Sequence, residues 1–381
     1  MEHRQTNPER ESALTKDETP SDTVDNPAGI ALARWLAHAT RAQDVRIVRY
    51  ERLPGGAIQD NFLLDVDIAG GAWHGEHALV LRIDAPTGVA ASLTRAQEFA
   101  VLRIAHAAGV IAPEPLLLCR DTQVLGRAFF IMQRLPGIAQ GHRLTREPAL
   151  VPDGDALAYA LGANLARIHA IRPPWSEAVR RTSQTPTGNG AAGAGDLDAI
   201  APPPANPALA AIAEYRSWLD RLDDAYPALE WGLRWCERHA PTAFDITLIH
   251  RDYRTGNYLV DEGRLAGVLD WEFAGWGDPR EDIGWLTARC WRFSGAECEA
   301  GGIAPIEPFL TGYEAVAGRR ISRADLDYWQ VMAHLRWAII ALQQAQRHTG
   351  GGERSLELAL TGRIVHELEY EVLQLITRSG A

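Results

Sequence analysis

His250, Asp252, Asn257 and Asp270 stand within one stretch, Ile249 to Ile283, at a spacing that phosphoryl transfer can use. Such chemistry needs a carboxylate beside the attacking hydroxyl, plus an amide and a second carboxylate able to hold Mg²⁺. The order H-R-D-x-x-x-x-N runs unbroken from His250 to Asn257, and Asp270 follows.

The elements that must position these residues are legible nearby. Asn257–Val260 and Leu265–Leu269 read as short strands, and the polar turn Asp261-Glu262-Gly263-Arg264 closes them into a hairpin. Folding there sets Val260 opposite Leu265 and Asn257 opposite Val268, with Asp270 just past Asn257 at the open end. Two oxygen ligands on one ribbon suit a hard cation. Any one of these residues can instead be a turn residue making local hydrogen bonds; the joint spacing is what favours chemistry.

The segment resembles the aminoglycoside phosphotransferase and choline kinase superfamily, whose members share the protein-kinase fold. It is most similar to the broad group of phosphotransferase family proteins, which includes the domain fused to some acyl-CoA dehydrogenases. The likeness runs from about Ala31 to the C-terminus, and Asp270-Trp271-Glu272 stands where protein kinases have D-F-G. It implies a small-molecule kinase in which Asp252 orients the acceptor hydroxyl and takes its proton. Asn257 and Asp270 would hold Mg²⁺, and ATP or GTP would be the donor. His250 would brace the loop, as would Asp278 and Asp282 of a D-P-x-x-D pattern. Asp278-Pro279-Arg280-Glu281 also reads as a capped helix start.

Composition fits this. The 381 residues can bury a large core, and 46% hydrophobic with 23% charged residues describes a globular protein. A net charge of -11 argues against a nucleic-acid partner. No apolar run is long enough for a membrane span, and the N-terminal stretch lacks an apolar signal core, so a cytoplasmic location is expected. The four cysteines lack metal-finger spacing and read as free thiols. The tryptophans concentrate between Trp231 and Trp337, as core or as cleft lining.

Organisation points to an α+β, bilobal, kinase-like fold. Residues 1–27 read as a disordered tail. Residues 28–135 read as a nucleotide-binding lobe: five mostly antiparallel strands (Val45–Leu53, Ile58–Ile68, His77–Ile83, Leu116–Cys119, Ala128–Gln133) and one helix, Leu93–Ala108. Residues 136–381 read as a larger, mainly helical lobe with the catalytic loop, metal site and acceptor site, and 183–206 as a loose Gly-, Ala- and Pro-rich insertion.

On the nucleotide side, Arg82 shares a strand face with Val80. The resemblance puts Val80 at the adenine pocket and Arg82, in place of the kinase lysine, on the phosphates. Glu98 falls on the apolar stripe of the helix, where a carboxylate needs a cation, and Arg82 is the candidate. Gly55 and Gly56 take the place of the phosphate-covering loop, and Met132–Gly137 resembles the hinge.

The acceptor is not legible. From Asp270 to Ala300 there are seven acids (Asp270, Glu272, Asp278, Glu281, Asp282, Glu297, Glu299) against three arginines (Arg280, Arg289, Arg292). The surplus hints at a cationic acceptor. Arg289 and Arg292, beside Trp285 and Trp291, equally suit an anionic or acyl-thioester one. Two rival classes are a nucleotide-binding pseudokinase or regulatory protein without turnover, and a protein kinase. Against the second, no Ala-Pro-Glu segment follows Asp270, and Asp278 arrives too soon for a peptide-docking activation loop.

Overall fold

A computed structural model of the chain describes residues 26–53, 59–84, 92–173, 194–198, 200–350 and 355–379. Gly55, Gly56 and nearly all of the expected tail lie outside the described residues, as do 183–193 and 199 of the expected insertion.

The strand patterns fold as five antiparallel strands: β1 (Asp44–Arg52), β2 (Gln59–Ala69), β3 (Gly75–Asp84), β4 (Pro115–Cys119) and β5 (Phe129–Gln133). Their order is β1-β2-β3-β5-β4. Alternation along each strand gives the sheet two faces. Leu79, Leu81 and Ile83 of β3 join one apolar cluster, while Val80 and Arg82 point to the other side. On that side the expected helix, α2 (Arg95–Ala107), starts with a Thr94–Gln97 capping box and sets Phe99 edge-on to Phe130 of β5.

Beyond the one expected, the small lobe holds a single helical turn, Thr122–Leu125, and a longer helix, α1 (Pro27–Thr40), which lays Leu32 and Leu36 on the sheet. The start signals of α1 are local: the Asn26 side chain accepts from the Gly29 amide, and Pro27 opens the helix.

The larger lobe is mainly helical: α3 (Gly154–His169), α4 (Pro207–Leu219), α5 (Pro227–Arg238), α6 (Arg280–Thr287), α7 (Ile306–Ala317), α8 (Arg323–Thr349), α9 (Leu356–Arg363) and α10 (Val365–Arg378). Its strands are short. β6 (Thr247–Ile249) pairs with β9 (Gly275–Gly277), and β7 (Tyr258–Asp261) pairs with β8 (Arg264–Val268). Leu197 and Ile200, in the described part of the expected insertion, are buried in the main core.

Two close approaches fix the frame around the site. A Cβ at Gly162 of α3 would lie 2.0 Å from the Phe309 carbonyl oxygen, and one at Gly312 of α7 would lie 2.1 Å from that of Tyr159, so glycine alone permits this crossing. In the linker between lobes, Gly137 (φ +116°) has no room for a Cβ against Val260. Ile138 then exchanges backbone hydrogen bonds of 2.9 and 3.0 Å with Val260, docking the linker on the β7–β8 hairpin. No helix among the described residues is long and apolar enough to cross a membrane.

Candidate active site

Arg82 is 3% exposed and gathers the small-lobe side of the site. Its Nε lies 2.9 Å from Glu98, and its Nη1 donates to Asp270 at 2.9 Å and Asn61 at 3.3 Å. Burial alone would pull the guanidinium pKa down; the carboxylates of Glu98, Asp270 and Glu272 hold it above its usual value. Its Nη2 is buried, 3.9 Å from Glu272, and makes no hydrogen bond among the described residues. A phosphate oxygen would satisfy that donor. Glu98 is shared with Arg95, which also meets Asp84 at 2.8 Å. Val80 sits two residues from Arg82 on the same face, opposite Met132.

The loop that carries Asp252 is built around a buried imidazole. His250 Nδ1 accepts the Asp252 amide at 3.2 Å, so Nε2 carries the proton and donates it to the Leu269 carbonyl at 2.9 Å. Burial lowers the His250 pKa despite nearby carboxylates, and the ring is neutral at pH 7. Asp252 receives donors on both oxygens: Trp285 Nε1 at 2.8 Å and Arg254 Nε at 3.1 Å on Oδ1, and Asn257 Nδ2 on Oδ2. Asn257 Nδ2 also donates to the Asp252 carbonyl at 3.0 Å. Arg251 and Asp270 hold φ of 63° and 60°, left-handed values that cost non-glycine residues energy and need support.

The hairpin register differs from the expected one. Val260 does oppose Leu265, but Tyr258, not Asn257, opposes Val268. A bulge at Ala266 puts one extra residue on β8, which period-two reasoning cannot foresee. Asn257 instead accepts the Leu269 amide at 2.8 Å through its carbonyl, so Asp270 still comes directly past it.

Asp282, fully buried, braces the loop. Its carboxylate accepts the amides of His250 and Arg251, each at 2.7 Å, and Nε2 of His169 at 3.1 Å. Burial opposes its charge, but these hydrogen bonds hold its pKa below the usual carboxylate range. His169 Nδ1 accepts from the Tyr313 hydroxyl at 2.9 Å, and burial keeps the imidazole neutral. Asp278 behaves differently from Asp282: its hydrogen bonds run to Arg280, whose guanidinium reaches on to Asp325 and the Ala243 carbonyl. It therefore braces the start of α6 and not the loop that carries Asp252. Glu281 lies 3.9 Å from Arg336, on the inner side of α6, where the sequence pattern placed it in a cap.

Glu98, Arg82, Asp270, Leu269, His250, Asp252 and Asn257 thus form one connected chain of contacts across both lobes. The arrangement couples a positioned carboxylate, an amide and carboxylate suited to a hard cation, and a buried arginine suited to phosphate. The profile of the phosphotransferase enzyme family matches residues 49–324, a span that contains every member of this chain of contacts. The chain belongs to the phosphotransferase enzyme family.

Relatives of the chain are longer proteins, of which it matches a part. Acyl-CoA dehydrogenase family member 11 of Homo sapiens is 24% identical over 301 residues, 74% of this chain and 35% of that protein. Acyl-CoA dehydrogenase family member 10 of Mus musculus is 27% identical over 194 residues, 49% of this chain and 16% of that protein. The chain therefore spans well under half the length of these relatives.

Solved structures share the phosphotransferase family's fold. A protein of Ralstonia eutropha assigned as an aminoglycoside phosphotransferase superposes with a TM-score of 0.68 at 20% identity, covering 92% of this chain and 98% of that one. An aminoglycoside phosphotransferase in ternary complex with ADP and hygromycin B gives 0.54 at 18% identity, covering 92% and 99%. A choline/ethanolamine kinase family protein of Mesorhizobium loti gives 0.51 at 18%, covering 86% and 87%. The two-lobed, protein-kinase-like α+β fold is common to them.

Sequence reasoning missed Arg95, Arg254, His169 and Tyr313, and it named Trp285 only as a neighbour of the acceptor arginines, not as a donor to Asp252. Arg95 lies three residues before Glu98, one turn away on the same helix face, and that spacing was a usable signal. Trp285, His169 and Tyr313 reach the loop only through tertiary packing, which no local pattern announces.

Proposed function

We propose that this chain is an ATP- or GTP-dependent O-phosphotransferase acting on the hydroxyl group of a small molecule. The observation that carries this reading is the state of Asn257. Its Nδ2 is committed to the carbonyl and carboxylate of Asp252, which leaves Oδ1 as the atom for a cation. Asp270 keeps one carboxylate oxygen beyond the one that meets Arg82. An amide and a carboxylate oxygen, completed by water and phosphate oxygens, suit Mg²⁺. Held by Asn257 and Asp270, such an ion would supply positive charge to offset the charge on the phosphates.

In the proposed reaction Arg82, held by Glu98, engages the phosphates, while Val80 and the linker receive the base. Asp252 accepts a hydrogen bond from the acceptor hydroxyl and takes its proton as the oxygen bonds to the terminal phosphorus. The bond from that phosphorus to the bridging oxygen breaks, and the nucleoside diphosphate leaves. Residues 28–135 serve the nucleotide and residues 136–381 the acceptor. The ADP seen with one structural neighbour, and the amino-alcohol and antibiotic names among the others, support a nucleotide donor and a small hydroxylated acceptor.

The test is a coupled phosphotransfer assay with Mg²⁺ and ATP or GTP. Acceptors would be aminoglycosides, macrolides, amino alcohols, hydroxy acids and hydroxyacyl thioesters, with Asp252→Ala as the blank. Turnover absent from the blank supports the proposal. Nucleotide binding without turnover would favour a pseudokinase, and no binding would end the kinase reading.

A further inference from the structure

Resting on the phosphotransferase reading of this site, we infer that the acceptor carries a negative charge beside its reactive hydroxyl, and that Arg254 selects for it. The aromatic ground around Asp252 is the first observation. Trp285, Trp291 and Trp337 cluster with ring centroids 4.9–6.4 Å apart, and Trp285 donates to Asp252. Such indole faces can bind a cationic ligand. Here two are already covered: the Arg336 guanidinium lies 4.5 Å from the Trp285 ring centroid, and that of Arg254 lies 4.4 Å from Trp291. An ammonium acceptor at either of these two faces would have to displace an internal guanidinium.

The second observation is the fate of the acids that the sequence places in surplus. Asp270 meets Arg82, Glu272 accepts from Ser92, and Asp278 is held by Arg280. Glu281 faces Arg336, Asp282 takes the loop amides, and Glu299 meets Arg323. Only Glu297 of the seven lacks a contact of this kind among the described residues, and it lies on the surface. The acids therefore do not form a free anionic wall for a polycation. The two arginines first considered for an anion are also engaged: Arg292 donates to the carbonyls of Thr287 and Ala296, and Arg289 meets Glu371.

Among the described residues, Arg254 is the cation that touches Asp252 itself. It gives Nε to Asp252 and Nη1 to the Thr255 carbonyl at 3.2 Å, while Nη2 has no acceptor among the described residues. Its side chain stays 24% exposed. The Trp291 ring, 4.4 Å from the guanidinium carbon, limits the movement of the fork, and a planar guanidinium is pre-organised for a carboxylate or phosphate oxygen. An acceptor whose anionic group takes Nη2 would place a neighbouring hydroxyl at Asp252.

The test uses acceptors matched in length and differing in charge: ω-hydroxy carboxylates against ω-amino alcohols, assayed with Mg²⁺-nucleotide on wild type, Arg254→Gln and Arg254→Lys. Expected is a preference of about tenfold or more in kcat/KM for the hydroxy carboxylates, the size of one partly exposed charge-assisted hydrogen bond. It should weaken with added salt, vanish in Arg254→Gln and partly return in Arg254→Lys. Asp252-dependent turnover that favours amino alcohols, or a preference unchanged in Arg254→Gln, overturns the inference and leaves the phosphotransferase reading standing. Absence of Asp252-dependent turnover with every acceptor removes both.

Discussion

His250 Nε2 and the Leu269 carbonyl oxygen stand 2.9 Å apart, and this hydrogen bond ties the loop that carries Asp252 to the strand end that carries Asp270. The other ring nitrogen holds the Asp252 amide, so one neutral imidazole sets the spacing between two carboxylates. That is a bracing task, because a buried ring with both nitrogens engaged has no proton to exchange with substrate.

His250→Phe should therefore lower kcat far more than it raises the KM for acceptor. Two lost hydrogen bonds to buried groups, at about 1 kcal/mol each, correspond to a loss on the order of thirtyfold if felt in the transition state. Steady-state kinetics with both substrates varied would check this. An equal rise in KM with unchanged kcat would assign the ring to binding instead.

Arg82→Met leaves Glu98 buried with only Arg95 for a partner. We expect a loss of stability of about 2–3 kcal/mol, near the low end for breaking a buried ion pair because Arg95 remains. Nucleotide affinity should fall at least tenfold in the same variant. Arg82→Lys should recover much of the stability and less of the affinity, since an ammonium cannot fork between Glu98 and Asp270. Urea melts with nucleotide titrations on the two variants separate these effects.

Acid should destabilise the fold through histidines buried neutral. Burial pushes His334 down to about 4, with Arg292 and Arg289 adding to the effect, and it lowers His169 and His250 as well. A group whose folded pKa is depressed below its unfolded value of about 6.5 binds more protons when unfolded, so stability falls as pH drops through that window. Between pH 6.5 and 4 His334 alone should cost on the order of 3 kcal/mol. Urea midpoints across that range, compared with His334→Gln, should show a shallower slope in the variant; parallel slopes would count against the assignment.

Much of this was legible in sequence because it is local. Asp252, Asn257 and Asp270 sit within one hairpin and its entry loop, and strand alternation put Arg82 and Val80 on one face. Glu98 was legible as a carboxylate on an apolar stripe that needed a cation. What failed was the hairpin register, where one bulged residue, Ala266, slid Asn257 out of its expected pairing. The roles of Asp278 and Asp282 also parted. Both lie in the same short motif, yet only Asp282 points at the loop, because the α3–α7 crossing through Gly162 and Gly312 brings His169 and Tyr313 beneath it. Such a partner set comes from helices distant in sequence and leaves no periodic trace.

The most direct measurement is titration of Mg²⁺-ATP and Mg²⁺-GTP into wild type, Asp252→Ala and Asp270→Ala, with phosphotransfer followed on the same samples. The account predicts that Asp252→Ala keeps nucleotide affinity within a few-fold and loses at least about 100-fold in turnover. Asp270→Ala should lose Mg²⁺-dependent affinity itself. Near-normal turnover in both variants would contradict the account.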